Sequence, residues 1–324
     1  MKGGAAVKRL ALIVIAAGLA WSGYWFFAAW SQRAAIEDWF EARRDDGWEA
    51  SYESLAIRGF PNRLDASFEG LILADPETRI AWEAPFFQVL RLVYRPGHEI
   101  LVWPERQSLS TPEGRYEIAS QSLRASLVHD GPRVIRANTE AEVLNVSGDM
   151  TLALAGVTGA VSQLEGQDST YRVAVNADSV ATEHGDLGGL DAGPDGLRLD
   201  AEVTLAEPLE VSGGELPDPT AIDLRLAEYR MGELRLKLAG AVEVDRAGYL
   251  DGRMTVQAEN WRELIEVARE AGQLPGALAG ALEEALSLVA GLSGNSGTLD
   301  LPLEFRGGRT WMGLIPLGEA PRLR

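Results

Sequence analysis

The chain of 324 residues contains no cysteine. That excludes disulfides, a lipid-modified N-terminal cysteine and thiolate metal sites, although an exported protein needs none of these. Histidine is almost as scarce. His98, His129 and His184 are far apart, and no two stand at a metal-ligand spacing. Asp186, Asp191 and Asp195 fall in a Gly-rich stretch, but their spacing matches no EF-hand loop. Lysine is missing after residue 8 except for Lys237, and no acidic residue occurs in the first 33. Phosphate-binding glycine loops are also missing. Ser293 and Ser296 lie among glycines, but with the wrong spacing for a nucleophile elbow and after a helical stretch instead of before one. The carboxylates are spread along alternating segments, so no acid–base pair stands out. These absences lead us to expect no metal, no cofactor and no enzymatic activity.

What is present begins with 21 consecutive uncharged residues, Leu10 to Trp30. A helix of that length spans about 30 Å, the thickness of a bilayer's hydrocarbon layer. Lys2, Lys8 and Arg9 precede it, as at a cytoplasmic flank, and Trp21, Tyr24, Trp25, Phe26, Phe27 and Trp30 crowd its far end like an interfacial belt. We expect residues 1–9 to be a cytoplasmic stub and 10–30 a single-pass anchor in a bacterial inner membrane, with the bulk of the chain periplasmic. The alternative is a secretory signal cleaved after Gly18-Leu19-Ala20. Against it, the apolar run continues for ten more residues. Beyond residue 33 the chain carries 26 of its 30 basic residues against all 48 acidic ones. Such a surface repels nucleic acid and anionic lipid headgroups, so an electrostatic role at either is disfavoured and no nucleic-acid partner is expected.

After the anchor, Ile36, Trp39 and Phe40 at i, i+3, i+4 predict a short helix over 34–44, lying against the first strands or along the membrane surface; its acidic residues favour the packing role. From Ser51 the period changes to two. Short alternating segments are broken by Gly59-Phe60-Pro61-Asn62, Pro96-Gly97 and Asp130-Gly131-Pro132. The reading is a mainly β (α+β) chain: an extended, curved antiparallel sheet with a C-terminal helical pair. Gly-rich and Pro-rich stretches at 185–196 and 207–220 divide it into an N-terminal β-rich half, 31–196, and a C-terminal half, 197–324.

The clearest alternation runs from Ile222 to Ala258. Leu234, Leu236, Leu238, Val242, Val244, Met254 and Val256 share one face, while Arg235, Lys237, Glu243, Asp245, Arg253 and Gln257 take the other. These seven apolar residues are the candidate site. Their face either closes into a core or stays open as a groove for an apolar ligand. Asn260 with Glu263 suggests a capping box for a helix bearing Trp261, Leu264, Ile265 and Ala268. Leu278, Leu282, Leu286 and Val289 make a second stripe. A hairpin, 298–305 and 310–315, closes the chain.

Arg58-Gly-Phe-Pro-Asn-Arg63, Phe68-Glu-Gly-Leu-Ile-Leu-Ala-Asp-Pro76, Trp82-Glu-Ala-Pro-Phe-Phe87, the Tyr94-Arg-Pro-Gly97 turn, Val102-Trp-Pro104 and Ile315-Pro-Leu-Gly318 resemble the motifs of an uncharacterised alphaproteobacterial envelope family, DUF2125. Met312-Gly313-Leu314 departs from the Leu-Gly-Pro expected there. More distantly, an anchor followed by a one-sided β-meander resembles the AsmA-like envelope proteins, which implies a β-groove that shields lipid. That resemblance implies the inner membrane, lipid and other envelope proteins as partners. The leading expectation is an anchored groove that binds lipid or another hydrophobic molecule in envelope maintenance. The alternative is an anchored scaffold with a closed core and no ligand.

Overall fold

Without a helix breaker between Trp30 and Ala34, the apolar run and the acidic stretch after it form one helix. In the computed structural model, α1 runs unbroken through Gly3–Asp45. The separate helix expected over 34–44 is therefore its last turns, because polarity changes there while backbone preference does not. The structure describes residues 3–148, 151–182, 196–211, 216–270 and 297–323, together with 280, 283, 284, 286, 287 and 290. These divide into two compact units, Met1–Ile118 with Arg124–Leu127, and Ala119–Leu123 with Val128–Arg324. The stretch at 185–196 falls inside the second.

In the first unit, β1 (Glu49–Ser51) and β2 (Ser54–Arg58) share one edge of β3 (Asp65–Asp75), and β4 (Ile80–Arg91) takes the other. The far edge of β4 pairs with β5 (His98–Val102) and β6 (Arg106–Thr111). The alternation of Leu64, Ala66 and Phe68 turns a buried face toward the end of α1. There Phe40 packs with Ala50, Leu55, Ala66, Phe68 and Leu71. Its ring meets Tyr52 edge-on at 4.8 Å, and stacking continues through Phe68 to Phe87, 6.4 Å away. The end of α1 thus packs on the first strands, as its apolar stripe predicts. The division between the units runs through β7 (Gly114–Gln121) and β8 (Arg124–Asp130).

The second unit is an antiparallel meander. β9 (Arg133–Ser147) pairs with β10 (Thr151–Gln163), which pairs in turn with β11 (Thr170–Ala177) and β12 (Ser179–Thr182). β11 then pairs with β13 (Gly196–Leu205). From there β14 (Pro219–Met231), β15 (Leu234–Val244), β16 (Leu250–Glu259) and β17 (Thr298–Arg306) add in sequence order. β18 (Arg309–Met312) and β19 (Ile315–Glu319) finish it. Between β16 and β17 lies α2 (Trp261–Glu270). The second helix of the expected pair is not established. Leu286 is helical, but Leu278, Leu282 and Val289 lie outside the described residues. Asn260 adopts φ +56° and its side-chain amide donates to the Glu233 carbonyl at 2.8 Å, tying α2 to the β14–β15 turn.

Two glycines shape this sheet. Gly240 pairs with Met254, and Gly252 pairs with Val242, at φ +148° and +142°. A Cβ at Gly240 would lie 2.3 Å from the Arg253 carbonyl oxygen, and one at Gly252 would lie 2.5 Å from that of Ala241. Only glycine allows two strands to approach this closely.

Candidate functional site

Registers place the candidate residues in rows that cross the strands. One row contains Tyr229, Leu236, Ala258 and Leu299; the next contains Leu199, Ala227, Leu238, Val256 and Leu301. A third contains Ala201, Leu224, Gly240, Met254 and Leu303, and a fourth contains Val203, Ile222, Val242, Gly252 and Phe305. Alternate residues of a strand share a face, so all four rows belong to one apolar surface.

Buried clusters stand at both ends of this surface. At one end, Trp261 and Ile265 of α2 are buried with Ala258, Ala290 and Leu299, and Leu236 packs against them. Leu234, 1% exposed, pairs there with Met231 in a small core of its own. At the other end, Val242 (3%) and Met254 (9%) join Ala201, Leu224, Leu250, Phe305 and Ala320, with Val244 at the margin. Between the two ends, Leu199, Ala227, Leu238, Val256 and Leu301 are each half-buried, as are Tyr229, Leu236, Val203, Ile222 and Leu303 in the flanking rows; Leu199, Ala227 and Leu238 pack on the Val242 cluster and Leu301 on the α2 cluster. The structure therefore brings Leu238, Val242, Val244 and Met254 into one cluster, separates Leu234 from them, and leaves Val256 half-buried beside Leu238. Leu199, Ala227 and Leu301 belong to the same row. Alternation within Leu197–Leu205 and Thr298–Phe305 carries that signal, but it becomes visible only once the registers are known.

The opposite face is polar and cross-linked. Arg172 donates to both carboxylate oxygens of Asp200, at 2.9 and 2.7 Å. Lys237 lies 2.6 Å from Glu259, which also meets Arg235 at 3.3 Å, and Arg253 reaches Glu304 at 3.3 Å. Hydrogen bonding from Arg172 holds the Asp200 carboxyl below the ordinary range, and the Lys237 ammonium does the same for Glu259. A concavity of about 560 Å³ opens on this charged side beside Glu202, Thr204, Asp223, Glu243 and Asp251. The half-buried row crosses five strands, so a molecule seated on it would lie across them. Among the described residues, no group of three or more His, Asp or Glu is arranged to hold a metal ion. His184, Asp186, Asp191, Asp195, Ser293 and Ser296 lie outside the described residues.

The apolar helix and the two antiparallel units define a mainly β protein carried on an N-terminal helix of membrane-spanning length and composition. Residues 25–321 match the family described as an uncharacterized protein conserved in bacteria (DUF2125), and the chain belongs to that family. No curated protein and no solved structure matches it.

Proposed function

We propose that α1 holds the protein in the bacterial inner membrane, with its N-terminus cytoplasmic and its bulk periplasmic. There the apolar face of the second unit binds the hydrocarbon part of a lipid or another hydrophobic molecule in envelope maintenance, without catalysis. The observation that carries this reading is the half-buried row Leu199, Ala227, Leu238, Val256 and Leu301, with buried clusters at both ends of the surface. Apolar surface that stays partly wet across five strands is a standing cost to the folded state, and an apolar ligand removes it. The AsmA-like resemblance points the same way, as an analogy of fold. The burial of Leu234, Val242 and Met254 favours a second reading, a closed-core scaffold that engages envelope proteins.

Native mass spectrometry of the full chain, released from mild detergent and followed by solvent extraction, separates the two. For the groove, phospholipid is retained at fixed stoichiometry. Leu238→Asp then lowers that stoichiometry while the far-UV spectrum and cooperative melting survive. Leu234→Asp is the core control. It buries a charge and destabilises the unit by several kcal/mol, on the order of what an unpaired buried ion costs. If Leu238→Asp unfolds the protein as Leu234→Asp does, or leaves bound lipid unchanged, the row is core and the scaffold reading stands.

A further inference from the structure

The Arg58–Arg63 motif packs on the apolar run of α1, well below the run's far end. Trp21 Nε1 donates to the Pro61 carbonyl at 2.9 Å, and Trp25 Nε1 donates to that of Arg63 at 2.7 Å. Trp25 is buried with Leu64 and Val93, while Phe60 meets the Trp25 ring edge-on at 5.5 Å and stacks on Phe26 at 6.0 Å. The 92–97 turn is tied to the same place, because Val93 N–H donates to the Asn62 carbonyl at 3.0 Å.

These contacts fix the loop's height along the helix. From Arg9, the last charge before the run, to Trp25 the helix rises about 24 Å, and to Trp21 about 18 Å. The hydrocarbon layer is about 30 Å thick. If Lys8 and Arg9 snorkel, their Cα atoms move into the hydrocarbon and Trp25 rises to the outer boundary, which leaves Trp21 and the Pro61 carbonyl inside it. Helix tilt shortens the vertical rise and places the loop deeper still. Resting on the anchor reading above, we infer that the Phe60–Pro61 loop and the Tyr94 turn are seated in the outer leaflet of the membrane that α1 spans, with the surrounding arginines at the lipid phosphates.

Two independent features fit a lipid surroundings. Irregular backbone at membrane depth must be satisfied by protein, because no water is there to do it. Of the five carbonyls from Gly59 to Arg63, four accept from the chain itself: Gly59 from Arg63 N–H at 2.8 Å, and Pro61, Asn62 and Arg63 as above. The outward side chains also suit the interface. Phe60 and Tyr94 are 52% and 62% exposed, and Arg58 and Arg95 are exposed around them in a chain of net charge −18, while Arg63, also exposed, pairs with Asp65 at 2.9 Å.

With no native cysteine, single nitroxide labels are straightforward. Full-length chain carrying Phe60→Cys, Ile15→Cys or Glu77→Cys is reconstituted into phosphatidylethanolamine–phosphatidylglycerol vesicles. Power-saturation electron paramagnetic resonance then compares collision with oxygen and with a water-soluble nickel chelate. The inference expects the oxygen-to-nickel ratio at Phe60→Cys to be several-fold above that at Glu77→Cys, in the β3–β4 turn, and to approach that at Ile15→Cys. If Ile15→Cys is lipid-embedded while Phe60→Cys matches Glu77→Cys, the anchor stands and the seated loop is overturned; the aromatic surface would then await a protein partner. If Ile15→Cys itself is water-accessible, the anchor fails and the loop inference falls with it.

Discussion

Asp200 and Glu259 show how single residues hold the charged side of the second unit. Each accepts from a cation on a neighbouring strand, and each carboxyl is held below its ordinary range by that bond. A carboxyl with a depressed folded value contributes stability that is fully present above its unfolded pKa, about 3.9 for Asp and about 4.3 for Glu. That stability is lost as pH falls through the lower folded value, since the unfolded chain takes up protons first. Urea midpoints measured from pH 7 to pH 3 are therefore expected to be flat in the upper part of this range and to fall below about pH 4. In Asp200→Asn the whole curve is lower near neutrality and its acid limb is shallower, because one depressed carboxyl has been removed. Both groups are largely solvated, so the difference is small and salt reduces it. An acid limb as steep as the parent's in Asp200→Asn would show that this pair does not contribute.

At the scale of elements, α1 is both a helix of membrane-spanning length and composition and part of the first unit's core. Trp25 seals Leu64 and Val93, Phe40 seals Ala66 and Phe68, and between them Arg33 donates to the Leu55 carbonyl. Trp25→Ala in the full chain is expected to cost about 3–5 kcal/mol, the range for emptying a buried tryptophan site. Amide exchange in the 59–64 and 92–95 segments should then quicken while that in β13–β17 is unchanged. Equal quickening everywhere would mean that Trp25 supports no local structure. Much of this level was legible in the sequence. Alternation gave the strands from Ser51 onward because one face of each is buried, and the apolar stripe of 36–40 gave the packing of the helix end. The continuity of α1 was not legible, since a change from apolar to acidic residues resembles a boundary while the backbone continues. Nor was the docking of Arg58–Arg63 on Trp21 and Trp25, which joins residues about forty apart and leaves no periodic trace. Gly240 and Gly252 read only as gaps in an alternating pattern. The close approach that requires them appears only when both strands are in place. Of the seven candidate residues, alternation gave the shared face but could not separate the buried Leu234, Val242 and Met254 from the half-buried Leu236, Leu238, Val244 and Val256.

For the whole molecule, charge is divided along the chain in the way that the proposed orientation requires. Lys2, Lys8 and Arg9 precede the apolar run, and all 48 acidic residues lie beyond residue 33. Positive flanks stay cytoplasmic, whereas long acidic domains cross largely regardless of their own charge. The absence of cysteine makes this directly measurable. Val7→Cys and Glu77→Cys, each the only thiol in its chain, are exposed to a membrane-impermeant maleimide on intact spheroplasts and then after permeabilisation. Glu77→Cys is expected to react before permeabilisation and Val7→Cys only after it. The opposite order would place the units in the cytoplasm and remove the periplasmic reading of the apolar face. Reaction of Glu77→Cys in material shed from the cells, with Val7 missing from the mature chain, would show that the apolar run is cleaved as a signal. Because Trp21 and Trp25 hold the Pro61 and Arg63 carbonyls, cleavage after Ala20 would keep both indoles with the first unit, whereas truncation at Ser31 would remove them. The first unit thus includes the far end of the apolar run, and its stability depends on indoles that belong to that run.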